Sequence, residues 1–297
     1  MGITAILVTF NRVKYLQESI PALLNQSVEL DSIIVVNNNS TDDTLKYLDT
    51  LSKNSKIKIL NLKKNVGGAG GFNAGLKMAY LTTDSSDFWL LDDDTIADQD
   101  AALEFINAGN LLKHNYGFLS SNVRWIDGTS AVMNRPMPAS DWNEPTDLGL
   151  IKLKYATFVS ALINRSAVSK LGLPISDFFI WSDDTEFTLR ISQTFDSYFV
   201  PLSKVTHKIV MNSGVDIVTD DSDRIGRYFY SIRNRLYIAK NYGSSRETFK
   251  GILSPIFTFF MVLFKSKNKR KKLLVILKGF NQGLFFNPKI EKVEEEK

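Results

Sequence analysis

Phe88-Trp89-Leu90-Leu91-Asp92-Asp93-Asp94-Thr95 is the stretch on which the fold turns. Four apolar residues in a row, with no polar alternation, read as a strand buried on both faces. Three carboxylates follow it directly. Adjacent carboxylates repel one another, so an ordered run needs a counter-charge or full solvation. A hard divalent cation such as Mg2+ or Mn2+ supplies that charge, since it prefers oxygen ligands and commonly shares them with phosphates. The plain structural alternative is a solvated acidic turn that caps the next helix. The neighbouring elements decide between the two.

Upstream the chain alternates in type. Ile3–Thr9, Ser32–Val36 and Ile57–Leu62 are apolar, β-branched runs that predict strands. Lys14–Leu24 and Thr44–Leu51 carry apolar residues at helical spacing. Gly67–Gly71 predicts a glycine-rich turn, with a helix over about Asn73–Tyr80. Strand–helix alternation implies an α/β fold with a mostly parallel sheet and helices on both faces. Ligands of such sheets bind beyond the carboxyl ends of the strands. Thr9 to Arg12, the run that begins at Asn37, and Asp92–Asp94 all follow a strand end, so they are expected to meet in one crevice.

The rest of the chain is less regular. Residues 126–150 are rich in Pro, Gly, Asp and Asn and predict a long loop of the kind that often serves as a lid or binding loop. Lys154–Ile163 and Phe199–Val210 return to strand character, while Asp183–Phe195 and Arg224–Tyr242 read as helices. Beyond residue 245 the character changes. Two apolar stretches within 252–286 flank Lys265-Ser266-Lys267-Asn268-Lys269-Arg270-Lys271-Lys272. The net charge of +4 resides in that run, and the remainder is mildly acidic. This divides the chain into a domain over 1–245 and a helical, basic segment over 246–297 that suits an anionic membrane surface. A helical pair packed on the domain, or a dimer contact, is the alternative. The apolar stretch Ile252–Phe264 looks too short to span a bilayer and contains Pro255. The N-terminus has no basic stretch before its apolar run, which speaks for a first strand over a signal peptide. The chain has no cysteine, which excludes disulfides and thiolate metal sites. A single basic cluster without a recognition motif makes nucleic acid a poor partner.

Further candidate residues sit in four places. In Asn65-Val66-Gly67-Gly68-Ala69-Gly70-Gly71 the glycines would let backbone N–H groups approach phosphate or sugar oxygens, or would merely allow close packing. Asp183 and Asp184 open a predicted helix. Asp183 with Glu186 fits a capping box, whereas Asp184 beside Trp181 and Phe179 could act as a general base or merely complement the helix dipole. His207 lies on an alternating segment, where a lone histidine is ordinarily a satisfied core residue. Arg233 and Arg235 lie two apart on a helix and point in different directions, so one could clamp a diphosphate.

Taken together the motifs resemble an inverting family-2 glycosyltransferase with a GT-A fold. The resemblance rests on Val8 to Arg12, Ile34 to Asp42, Asn65 to Gly75, Leu91 to Thr95, Ser182 to Glu186 and Arg233 to Leu236, in that order, over roughly residues 1–242. It is strongest for bacterial galactofuranosyltransferases, with rhamnosyltransferases close behind. The resemblance implies that Asp92, Asp94 and His207 hold Mn2+ or Mg2+, which reverses the plain reading of His207. It implies that Thr9, Arg12, Asn37, Asn65, Gly70, Asp92, Asp93 and Arg233 bind the nucleotide-sugar donor. Asp184 would be the catalytic base, with Trp181 and Asp183 beside the acceptor. Asn37 departs from the aspartate of many relatives. The implied reaction moves a sugar, galactofuranose first among candidates, from a UDP-sugar to a lipid-linked or growing surface glycan. The implied place is the cytoplasmic face of a bacterial membrane, as a peripheral protein, with a homo-oligomer among the expected partners. Two other classes compete. A nucleotidyltransferase would carry a Gly-rich, Lys-bearing loop after the first strand, where this chain has Thr9 to Arg12. A sugar-binding module without catalysis would not need Asp184 and Asp94.

Overall fold

The structure is a computed structural model and describes residues 1–293. Strand β1 (Ile3–Thr9) is buried at all seven positions, as a strand covered on both faces must be. It pairs in parallel with β2 (Ser32–Asn37) on one side and β4 (Asp87–Asp92) on the other. β3 (Ile57–Asn61) extends the parallel set beyond β2. Past β4 the sheet is mixed. It runs through antiparallel β9 (Ser160–Asn164), then β6 (Phe118–Trp125), β10 (Tyr198–His207), β8 (Ile151–Tyr155) and the two-residue β7 (Met137–Pro138). Short β5 (Thr95–Ala97) pairs antiparallel with the end of β10.

Side-chain parity sorts the core into two layers. Ile3, Ala5 and Leu7 face one side with α1 (Val13–Leu24), α2 (Thr44–Leu51) and α4 (Ala101–Leu111). Ile6 and Val8 face the other with α3 (Gly67–Thr82), α5 (Arg165–Leu171) and α6 (Asp183–Ser192). The period of two along a strand makes this division, and the helices seal both faces from water. The expected α/β architecture is therefore present, with parallel pairing across β3-β2-β1-β4 and again between β6 and β10.

Several boundaries differ from those read in the sequence. The glycine-rich stretch forms the first turns of α3 and not a turn before it. Close approach explains this: a Cβ on Gly71 would sit 2.4 Å from Val8 Cγ1, and one on Gly75 2.6 Å from Ile6 Cγ2. Glycine lets α3 lie hard against β1. Lys154–Ile163, expected as one strand, is split between β8 and β9, which hold different places in the sheet.

The C-terminal helices are α7 (Tyr228–Tyr242), α8 (Ser245–Lys265) and α9 (Lys269–Phe285), which pack on one another. Here the expectation of a short, proline-broken stretch is corrected. α8 runs for 21 residues straight through Pro255 and is long and apolar enough, by length and composition, to cross a membrane. Proline removes one backbone bond, and its ring is buried against the protein, so the helix continues. A capping box between Ser244 and Glu247 fixes its start.

Candidate active site

The parallel register brings Thr9 level with Asn37, Val8 level with Asp92, and Asn37 level with Asn61. The candidate donor-side residues thus converge at the carboxyl edge, where a doubly wound sheet opens its crevice. Thr9 Oγ1 donates to Asp93 Oδ2 at 2.7 Å, and Arg12 Nη1 donates to Asp93 Oδ1 at 3.2 Å and to Asp94 Oδ2 at 2.5 Å. Asn37 Nδ2 donates to Asn61 Oδ1, and its Oδ1 accepts from Ser40 N–H, so it orders the loop after β2.

β5 turns the chain back so that Thr95 lies opposite His207 in the ladder. That register places Asp94 against the imidazole, with His207 Nε2 3.1 Å from Asp94 Oδ1. The other ring nitrogen, Nδ1, meets Asn134 Oδ1 at 2.8 Å. An amide oxygen accepts only, so Nδ1 carries the proton and donates. Nε2 therefore faces the Asp94 carboxylate: a protonated ring donates to it, and a neutral ring offers its lone pair to a cation shared with it. Ligand atoms of Asp92, Asp94 and His207 all lie within 4.8 Å of one another. Two carboxylates and an imidazole suit Mn2+ or Mg2+, with positions left for phosphate oxygens.

The charges fit the same picture. Burial pushes Asp92 above the ordinary carboxylate range, and Asp94 adds repulsion. Asp93 is pushed up to about 6, by burial first, against the relief given by Arg12. Asp94 is also buried, but its bond to His207 and the charges of His207 and Arg12 outweigh that and hold it low. Burial works against the charge of Arg12, yet Asp93 and Asp94 more than compensate and raise its pKa. Arg227 feels burial and then the like charges of Arg12 and Arg224, so three arginines form a positive edge beside the acidic run.

Asp183 and Asp184 arrive on α6 after an unusual segment. Phe179, Trp181 and Ser182 all have φ near +65° (63°, 65° and 68°), a region that costs L-residues about 1–3 kcal/mol each. Ile180 N–H donates to Phe178 O at 2.7 Å across Phe179, a γ-turn of the rarer, strained hand. Burial raises both aspartates, and for Asp183 the charge of Asp184 raises it further. Asp183 is buried, and among its repulsive partners is Asp92, which ties α6 electrically to the end of β4. Asp184 is only half-buried, accepts from Thr185 N–H at 2.6 Å, and is relieved by Arg235. Trp181 packs edge-on against Tyr228 at 5.1 Å.

Other expected donor residues have different partners. Asn65 Oδ1 accepts from Gly67 N–H, and Gly70 lies over Val66. Arg233 Nη2 donates to the carbonyls of Asp177 (2.5 Å) and Phe178 (3.3 Å), and its guanidinium lies 3.9 Å from the Phe286 ring centroid. Sequence reading missed Asn134, which nothing in the 126–150 loop distinguishes from its other polar residues. It also passed over Asn234 and Arg227, of which Asn234 stood in plain view between two arginines.

A family model described as glycosyl transferase family 2 matches residues 4–172, more than half of the chain. The chain belongs to that family. A poly-beta-1,6-N-acetyl-D-glucosamine synthase of Staphylococcus aureus is 33% identical over 137 residues, 45% of this chain and 31% of that protein. An uncharacterized glycosyltransferase of Haemophilus influenzae is 40% identical over 75 residues, 25% of this chain and 23% of that one. The chain thus spans under a third of the length of these curated relatives. Among solved structures, GalNAc-T7 with UDP, GalNAc and Mn2+ superposes with a TM-score of 0.65 at 15% identity, over 96% of this chain and 56% of that chain. Staphylococcus aureus TarS does so at 0.57 and 14%, over 89% and 44%. These likenesses are of fold.

Proposed function

We propose that this protein is a metal-dependent, inverting glycosyltransferase that takes a sugar from a UDP-sugar and joins it to a hydroxyl of a glycan acceptor. The observation that carries this reading is the meeting of Asp92, Asp94 and His207 at the carboxyl edge of the sheet, with His207 Nε2 facing the Asp94 carboxylate. Mn2+ or Mg2+, held there by these three side chains, would offset charge on the departing diphosphate. Thr9, Arg12, Asn37 and Asp93 line the donor side, and Arg227 adds positive charge. Asp184 takes the proton from the acceptor hydroxyl. The acceptor oxygen bonds to the anomeric carbon as the bond from that carbon to the diphosphate oxygen breaks, and the diphosphate leaves with the electron pair. One attack from the opposite face inverts the anomeric centre. Asp184 is favoured over Asp183 because it is half-exposed, and a base must reach its substrate. Trp181, half-buried and braced against the buried Tyr228, offers an aromatic side to an acceptor sugar.

Galactofuranose remains the first candidate donor, on the motif resemblance. N-acetylglucosamine is the second, since a curated relative is named for that polymer. Turnover with a panel of UDP-sugars and Mn2+ ranks them. Release of UDP from none of the panel, with intact UDP binding, would leave a sugar-nucleotide-binding module instead.

A specific observation also favours a membrane partner, an anionic bilayer surface, for the 246–297 segment. Phe249, Leu253, Ile256, Phe257, Phe260 and Phe264 recur at helical spacing along α8 and are exposed. Lys265, Lys267, Lys269, Arg270 and Lys271 are exposed at its end. An apolar stripe beside a basic cluster complements the acyl boundary and headgroups of such a surface. The full chain is expected to float with vesicles containing anionic lipid, and Phe257→Glu with Phe260→Glu to abolish flotation. A dimer that persists without vesicles and is broken by the same pair would assign the stripe to a second copy.

A further inference from the structure

The segment Asp177–Ser182, which delivers Asp183 and Asp184 to the site, is strained and is gripped from two sides. On one side stands α7. Asn234, wholly buried, donates from Nδ2 to three carbonyls: Phe178 at 3.0 Å, Ile180 at 3.3 Å and Trp181 at 2.8 Å. Its Oδ1 accepts from Arg233 Nε at 3.0 Å, which fixes the amide so that its hydrogens face the loop. Arg233 Nη2 adds bonds to Asp177 O and Phe178 O. On the other side stands the start of α3. Ala69 N–H donates to Phe179 O at 3.1 Å, and Gly67, at φ +76°, lies so close that a Cβ there would be 2.0 Å from the same oxygen. Three donor nitrogens, making six hydrogen bonds, and one missing side chain thus converge on five successive carbonyls, Asp177 to Trp181.

Such a loop does not hold its shape unaided. Three non-glycine residues in left-handed backbone relax unless their surroundings over-determine them. The two grips come from elements far apart in sequence, and both act on the few residues just before the two aspartates. We infer that Arg233 and Asn234, opposed by Gly67, are positioning residues that hold Asp184 in its reactive place and are not donor ligands. The inference rests on Asp184 being the base. It gives the glycine-rich motif and the Arg-Asn pair one shared purpose, the exact aim of a carboxylate, and it removes Arg233 from the donor pocket.

The test separates kcat from donor affinity. Asn234→Ala is expected to lower kcat about 10- to 100-fold, the scale of a misplacement of about 1 Å, with the Kd for UDP and Mn2+ changed less than about twofold. Gly67→Ala, which pushes on the loop from the other side, is expected to give the same split. Arg233→Lys, which keeps the charge and one donor, is expected to retain more kcat than Arg233→Ala. In an Asp184→Asn background Asn234→Ala is expected to cost nothing more, since the two residues act through one step. If Asn234→Ala does not fold, Gly67→Ala and the Arg233 pair carry the same readouts. Wild-type kcat in the folded variants, or a loss of UDP affinity that matches the loss of kcat/KM, overturns the inference. Should Asp184→Asn itself turn over normally, the assignment of the base fails and the inference with it; an inert Asp184→Asn beside an unaffected Asn234→Ala refutes the positioning alone.

Discussion

The chain places adjacent carboxylates in two regions and stabilises them by opposite means. Asp92–Asp94 follow a relaxed strand, and side chains hold them: the Arg12 guanidinium on Asp93 and Asp94, the His207 ring on Asp94. Asp183 and Asp184 follow a strained loop, and the backbone holds them, through Thr185 N–H and the carbonyl clamps behind. A run that is neutralised by neighbours is suited to exchange those neighbours for a bound cation. A pair kept partly unrelieved, with raised affinity for protons, is suited to take one. On the proposed function, the same residue type is divided between electrostatic binding and proton transfer by what surrounds it, as differing environments commonly divide paired acids.

Asp184→Asn gives the sharpest test of that division. Transfer is expected to fall about 10²- to 10⁴-fold while UDP binding by titration calorimetry stays intact; Asp183→Asn is expected to fall less. Equal, large losses for both would erase the distinction between the aspartates. On the other run, Asp94→Ala is expected to abolish the calorimetric signal for Mn2+ without unfolding the protein, because it removes the ligand that both His207 and Arg12 address. Retained Mn2+ affinity would refute the proposed ligand set. Asn134→Ala leaves every ligand in place but frees the imidazole, and is expected to weaken Mn2+ about 10- to 100-fold. No change would mean that the ring is oriented by β10 alone.

Acidity sharpens the comparison further. Asp93 titrates at about 6 in the folded protein against an ordinary 3.8. Its folded form therefore binds more protons than its unfolded form across that window, so the contribution of Asp93 to the stability of the metal-free protein falls as pH rises from about 4 to about 6. Mn2+ needs carboxylates without protons, and Asp92 is raised as well. The rise in Tm on adding Mn2+ is expected to be larger near pH 7.5 than near pH 5.5. A pH-independent shift would place Mn2+ elsewhere. The smallest effect belongs to Arg12→Ala. Its side chain is 47% exposed, so its ion pairs contribute about 1 kcal/mol at most. A small fall in metal-free Tm is expected, largely recovered by Mn2+, which takes over the neutralising role.

Much of this was legible before the structure. Local pattern suffices where a strand is buried on both faces, because such a strand admits apolar residues almost alone. β1, β2 and β4 were placed within a residue or so, and their carboxyl ends carried Thr9, Asn37 and Asp92 to one edge. What the sequence could not show was which polar residues meet across the chain. Asn134 lies 73 positions from His207, and Asn234 lies 53 from Trp181. Both look like ordinary surface asparagines until the chain is folded. The glycine-rich motif shows the same limit. Composition marked Gly67–Gly75 as special, but phosphate cradle and tight packing call for the same residue, and only the approach of Val8, Ile6 and Phe179 shows the packing role. Pro255 misled for a related reason: a proline counts against a helix locally, and packing on α7 and α9 outweighed it.

By itself, then, the sequence determined the doubly wound sheet and the acidic run at its edge, because hydrophobic periodicity and charge repulsion act between near neighbours. The tertiary structure alone decided that His207 turns Nε2 to Asp94, that Arg12 stands as counter-charge, and that Arg233 and Asn234 grip a backbone loop. Those are relations of direction and distance between residues far apart in the chain, and only the closed fold sets them.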